Sequence, residues 1–464
     1  MGCLDAAWRP FFPALRRALI VLGGLSAVAA TAVGFVLTAS SSTALPAGLS
    51  WGPAATLSTC GGATTPRVVF PESAPAARTG PGAIVWLGTD CAGGPVTLNA
   101  AVLKADSPQP SAALSETPLV RFAALAGTTN GQLVAGAGVS GRPVLGEGRA
   151  TQGFATLKPL LGSDSLVATQ TGFIGDVDVA TVAHTPTGYA IEIRAQRHYQ
   201  HHFGRAIAIR AGPAAPSALA IGMDYRADRL IVWDERGELY ARYITNEGHV
   251  KARQTLGPAG YAPQLATVVS DDDRAFVIWT DEPAPGAPGI AAVLLAHSTI
   301  GPHFRGYMTL TSFPEPATLR LAAGAVAAER LSSEGVALLW PDMTASGNLV
   351  LDAAAALSNG TVRPPNVVSF AGDDVRLGAV AAGPHNEFVA LVEVASRTAA
   401  TDQAIYAIRS NVVHDPGGLG FGALTELAPS GPNSAPAVAI DPATDNAIAA
   451  WQAGPASIDW ALGS

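Results

Sequence analysis

Residues 436–462 read PAVAIDPATDNAIAAWQAGPASIDWAL, residues 51–57 read WGPAATL, and the two stretches belong together. In the first, Pro436 opens a short apolar run, an Asp- and Asn-bearing turn follows at 441–446, a second run ends at Trp451 and a third at Leu462. Short apolar runs separated by such turns are antiparallel strands, because Asp and Asn bond locally to the backbone and reverse it. The last unit thus has three strands and lacks a fourth, while a lone strand stands at Trp51 to Leu57. The spacing predicts that the amino-terminal strand completes the carboxy-terminal unit and closes a ring without a free sheet edge.

The run that ends in Trp recurs as AIVW to Trp86, LIVW to Trp233, FVIW to Trp279, ALLW to Trp340 and IAAW to Trp451. The intervals of 147, 46, 61 and 111 residues divide as three, one, one and two units, which implies eight copies. The copies without Trp are expected at QLVAGAG (132–138), YAIEIRA (189–195) and EFVALVEV (387–394). A closing element with apolar residues six positions apart checks the count at Trp51/Leu57, Phe154/Leu160, Phe203/Ile209, Val250/Leu256, Phe304/Leu310, Val362/Val368 and Phe421/Leu427, with a weaker eighth near Leu114. Four short strands per repeat of this length is the pattern of a propeller blade. The expected fold is all-β, a single eight-bladed β-propeller over residues 50–464. Because only ten positions separate Ile193 from Phe203, the third copy leaves open seven regular blades and one reduced one.

Units of the form W/F-G-x-P-x-x-L-S, then a Pro-led strand, then VAIDPATDNAIAAW, resemble the divergent propeller repeats of secreted bacterial proteins, distantly similar in shape to sialidase-type propellers. The resemblance spans 50–464 and implies fold, not activity. No copy carries the Ser-x-Asp-x-Gly-x-Thr-Trp box of sialidases.

Composition agrees with this architecture. Hydrophobic residues are 48%, charged residues 14%, and 50 Gly with 35 Pro exclude a coiled coil. With 28 basic against 36 acidic side chains and only three lysines, the net charge of -8 argues against nucleic-acid binding, since phosphate contacts need a basic face. The domain is expected to be monomeric, with no cofactor.

Residues 1–17 carry Arg9, Arg16 and Arg17 ahead of an uncharged apolar segment at 18–39. At a rise of ~1.5 Å per residue this segment reaches ~33 Å, enough to cross a bilayer with residues 1–17 inside. It is expected to be a transmembrane anchor or a cleaved signal peptide, followed by a linker at 40–49, so that the propeller is extracytoplasmic, at the membrane or secreted. Arg16-Arg17 also fits a relaxed twin-arginine signal. Cys3 precedes the apolar segment and so cannot be a lipid-bearing cysteine after such a signal.

Several residues are candidates for chemistry. Cys60, before the first strand of blade 1, and Cys91, after its second, share a face, and in an oxidising compartment they are expected to pair; the alternative is two free thiols. Asp90, Asp234, Glu235, Asp281, Glu282 and Asp342 follow the tryptophans on that face and form a candidate acidic rim for a cation or basic ligand, though loops carry polar residues in any case. His198, His201 and His202 are a weak metal candidate, since no Cys or carboxylate lies among them. Asp271–Asp273 and Asp441–Asp445 read as turn chemistry before calcium. Asn359-Gly360-Thr361 is a sequon only in a eukaryotic secretory setting. No G-x-S-x-G, H-E-x-x-H or phosphate-binding glycine loop is present. The expected function is an extracellular binding or scaffolding module with an unidentified ligand or protein partner. The alternative is a hydrolase or lyase acting on an extracellular polymer such as a glycan.

Overall fold

The computed structural model describes residues 50–464 except 59–61, 71–81, 90–93, 105–106, 109–111, 114–120, 128–131, 140–141, 150–152, 161–166, 173–174, 198–199, 201, 271–272, 285–286, 299–302, 315–325, 332–334, 384–386, 397–401, 413–418 and 442–443. The readings for 1–49, Cys60, Asp90, Cys91, His198, His201, Asp271 and Asp272 lie outside the described residues. No helix of the described residues is long and apolar enough to cross a membrane.

Eight antiparallel sheets follow one another along the chain. Blade 1 runs Thr64–Val69, Gly82–Gly88, Thr97–Lys104, with the short pairs Ser107–Pro108 and Ala112–Ala113 at its outer edge. Blade 2 is Arg121–Gly127, Leu133–Val139, Arg142–Arg149 and Gly153–Pro159, and blade 3 is Val167–Thr171, Val177–Thr185, Gly188–Gln196 and Ile207–Gly212. Blade 4 is Leu219–Met223, Arg229–Glu235, Glu238–Ile244 and Gln254–Pro258, and blade 5 is Leu265–Val269, Ala275–Asp281, Ile290–Ser298 and Phe304–Pro314. Blade 6 is Ala327–Arg330, Gly335–Met343, Leu349–Leu357 and Asn366–Val368. Blade 7 is Asp373–Ala382, Glu387–Ser396, Gln403–Val412, and Leu419–Phe421 with Thr425–Gly431 outermost. Blade 8 is Asn433–Ile440, Ala447–Ala453 and Ser457–Gly463, and its fourth strand is Ala55–Ser58 from the other end of the domain.

That closure is in register: Ala55 opposes Trp460, Leu57 opposes Ile458, and Trp51 bridges Gly463. The first strand of each blade packs against the first strands of both neighbouring blades all the way round, so eight innermost strands enclose a central channel. The chain is therefore an eight-bladed β-propeller.

The Trp-ended runs are the second strands, buried on both faces, which is why they are continuously apolar and do not alternate. Trp233, Trp279 and Trp451 have no accessible surface, and each apolar cluster joins one blade to the next. The hairpin between first and second strands has a common geometry. An amide donates to the carbonyl four residues on, as in Gly172 to Asp176, Asp224 to Asp228, Ser270 to Arg274, Leu331 to Gly335 and Gly383 to Glu387. The residue before the last is left-handed, as at Gly175, Ala227 and Asp273. The longer turn at Asp441 is held by the Thr444 hydroxyl donating to its carboxylate at 2.7 Å, so Asp273 and Asp441 are turn residues.

One expectation is corrected. YAIEIRA is the third strand of blade 3, within Gly188–Gln196, and the second strand is Val177–Thr185. The segment between Ile193 and Phe203 therefore needs to hold only a loop, and blade 3 is complete.

Candidate functional site

The second strands of blades 4, 5 and 6 end at Glu235, Asp281 and Met343, which puts Asp234, Glu235, Asp281, Glu282 and Asp342 on one face of three successive blades. The carboxylates there act within the fold. Asp234 is buried, and its Oδ1 accepts the amides of Ser217 at 2.6 Å and Ala218 at 2.5 Å, pinning the loop that enters blade 4. Thr280 does the same one blade on, its hydroxyl accepting the Gln264 amide at 2.9 Å. Glu235 is buried 3.7 Å from Arg253 Nη1, and its carboxylate lies against Gly212 where a Cβ would sit. Burial pushes the Asp281 carboxyl above its ordinary range. Asp281 Oδ1 and the Glu282 backbone pack on Gly260, whose φ of +60° and lack of a Cβ permit the approach, while the Glu282 carbonyl accepts the Tyr261 amide at 2.8 Å.

Asp342 Oδ1 accepts the Thr311 hydroxyl of blade 5 at 2.6 Å and the Met343 amide at 2.7 Å. It also shares a hydrogen bond with buried Asp352, whose carboxyl is pushed up to about 6, first by burial and then by the negative charge of Asp342. His202 is exposed, its Nδ1 3.9 Å from Glu147. Among the described residues no three His, Cys, Asp or Glu side chains are grouped to hold a metal ion.

Two ionisable side chains on the innermost strands escaped the sequence reading. The residue paired with the position before Trp is Ala220, Ala266, Ala327 and Ala437 in blades 4, 5, 6 and 8, but Arg67 in blade 1. Two steps further the corresponding residues are Val69, Gly222, Val268 and Ala439, but Glu329 in blade 6. Among the described residues Arg67 bonds only to the neighbouring Pro66 carbonyl, at 3.0 Å, and Glu329 makes no hydrogen bond or ion pair. Glu329 is half-buried, and burial pushes its carboxyl up to about 8. Burial likewise lowers the Arg67 guanidinium. The signal available in the sequence was positional: a long charged side chain where aligned copies carry Ala, Gly or Val.

No protein-family model matches the chain, and no curated protein does. Among solved structures it is similar to the Dos1 propeller at 9% identity and a TM-score of 0.50, covering 89% of this chain and 95% of that one. It is also similar to the β-propeller domain of Myceliophteria thermophila Cps50 (Swd1), at 11% identity, 73% and 96% coverage and a TM-score of 0.40. A structure from work on two prolyl endopeptidases gives 13% identity, 86% and 55% coverage and a TM-score of 0.45. The Dos1 likeness spans nearly all of both chains and agrees with the ring of blades; at this identity it speaks to the fold alone.

Proposed function

We propose that this protein is a binding module displayed outside the cytoplasm, exported or anchored through residues 18–39, whose propeller takes its ligand into the central channel. The observation that carries the reading is the pair Arg67 and Glu329, two ionisable groups on innermost strands where the aligned positions carry Ala, Gly or Val, neither with an ion-pair partner among the described residues. Unpaired ionisable groups in a concave, desolvated place cost stability, and sites that bind ligands are where such a cost is retained. Arg67 suits an anionic group of the ligand. Glu329, neutral at pH 7, donates a hydrogen bond to a carbonyl or hydroxyl. The likeness of the repeats to those of secreted bacterial propellers and the arginines ahead of the apolar segment support the location.

Titration of the purified full chain with short peptides and sugar acids tests this reading. A ligand is expected whose affinity falls at least tenfold in Arg67→Ala, and whose binding weakens above pH 8 in the native protein but not in Glu329→Gln. Ligands indifferent to both variants would contradict the channel, and a propeller recovered in the cytosol on fractionation would contradict the location. A second reading, a hydrolase or lyase acting on an extracellular polymer, draws on Asp342 and Asp352, since carboxyls that share a proton are the means of acid–base cleavage. Asp342 is already held by Thr311 and Met343, so the binding reading stands first.

A further inference from the structure

Charge is unevenly distributed along the chain: residues 190–253 carry ten arginines and lysines against seven acids in a protein of net charge -8. Two of these arginines meet at the outer edge of blade 4. Ala241 pairs with Gln254, and the Lys251 amide donates to the Tyr243 carbonyl at 2.8 Å, so the segment entering the outermost strand carries Arg253 past Arg242. Arg242 lies two residues from Tyr240 on the same face of its strand. Tyr240 and Trp233 on this face pack with Ile191, Ile193, Ile209 and Ala211 of blade 3, which places both arginines in the groove between blades 3 and 4. Arg253 confirms the placement by donating to the Ala211 carbonyl at 3.4 Å.

The two guanidinium groups are held differently. Arg253 stacks 4.3 Å above the Tyr240 ring and forms an ion pair with Glu235 at 3.7 Å, without a hydrogen bond between them. Glu238 is bound by the Tyr240 hydroxyl at 2.6 Å. Among the described residues Arg242 makes no hydrogen bond or ion pair, its Nε is buried without a partner, and the charge that acts on it is the like charge of Arg253. Like charges opposite one another on neighbouring strands destabilise a sheet. An oxyanion between them removes that repulsion and satisfies the Nε of Arg242.

We propose that the groove between blades 3 and 4 is an anion-binding site in which Arg242 and Arg253 hold one carboxylate, phosphate or sulfate group beside Tyr240. Paired guanidinium forks match the oxygens of such groups, as a lysine ammonium does not. The site lies outside the channel, so it stands or fails separately from Arg67 and Glu329. The oxyanion is either free in solution or carried on an acidic polysaccharide.

The test titrates the full chain with inorganic sulfate and with dextran sulfate at low and moderate salt. Binding of either probe is expected, weakening as salt rises, with affinity down about tenfold in Arg242→Gln and in Arg253→Gln and unchanged in Arg236→Gln on the nearby exposed turn. Saturable sulfate binding identifies a free anion as sufficient; binding of the polymer alone identifies the polysaccharide. Without anion, Arg242→Gln should melt no lower than the native protein, because it relieves repulsion. Failure of both probes to bind, or an Arg236→Gln loss equal to that of Arg242→Gln, would overturn the site.

Discussion

Asp234 shows how a residue that looks like a ligand in the sequence becomes structure in the fold. An acidic residue just past Trp233 has the composition of a rim, yet its Oδ1 binds two backbone amides of the interblade loop. Asp234→Ala leaves those buried donors without an acceptor and should cost about 1–3 kcal/mol in urea denaturation. Its partners lie 16 and 17 residues away in a loop without distinctive residues, so this role could not be read from sequence. Arg236 offers the opposite change. It has a φ of +57° ahead of Gly237 in the two-residue turn joining Glu235 to Glu238, a geometry that favours Asn-Gly. Arg236→Asn should raise stability by about 0.5–1 kcal/mol, read from the same denaturation midpoint. Asp352 makes stability depend on pH. Its carboxyl holds a proton more tightly folded than unfolded, so its contribution is present below about pH 4 and is lost as pH rises through about 6. The contribution lost across that range is at most about 3 kcal/mol. Denaturation midpoints should therefore fall between pH 5 and pH 8, and fall less in Asp352→Asn; equal slopes would deny the carboxyl pair.

At the scale of the strand, legibility followed the tryptophans. Second strands carrying Trp86, Trp233, Trp279, Trp340 and Trp451 were visible because a bulky ring follows a continuous apolar run buried on both faces. Blade 3 has no such marker. Its second strand carries the buried polar residues Asp178 and Thr181, with Asp178 bound to buried Arg229 of blade 4, so the sequence VDVATVAHT reads as less apolar than the third strand beside it. Charge complementarity across blades, invisible in a single strand, replaced hydrophobicity there. Trp279 carries both burial and a hydrogen bond from its Nε1 to the Pro258 carbonyl at 2.6 Å. Trp279→Ala should cost about 3–5 kcal/mol, whereas Trp279→Phe should lose less, since it keeps most of the packing. The candidate site was legible only in part: the shared face of the acidic residues followed from blade topology, but Arg67 and Glu329 emerge only when the first strands are aligned through their pairing.

For the whole molecule, the ring makes the domain one cooperative object, because each blade has a neighbour on both sides only if blades 8 and 1 are joined. The junction is the strand Ala55–Ser58 against Ser457–Gly463, reinforced by Trp51 at Gly463 and by the amide of Gly52 donating to the Leu462 carbonyl at 2.8 Å. Leu57 and Trp460 lie in one cluster with Ile84 and Trp86 of blade 1 and Ile448 of blade 8, so the closing strand helps cover the seam between first and last blades. Deleting residues 50–58 therefore exposes a sheet edge and part of a core at the same place. Hydrogen exchange measured on this deletion beside the intact chain tests the closure most directly. The structure predicts loss of amide protection across all three remaining strands of blade 8 and into blade 1, together with a lower melting temperature for the entire domain. Unchanged protection and an unchanged melt would contradict a ring closed by its amino-terminal strand.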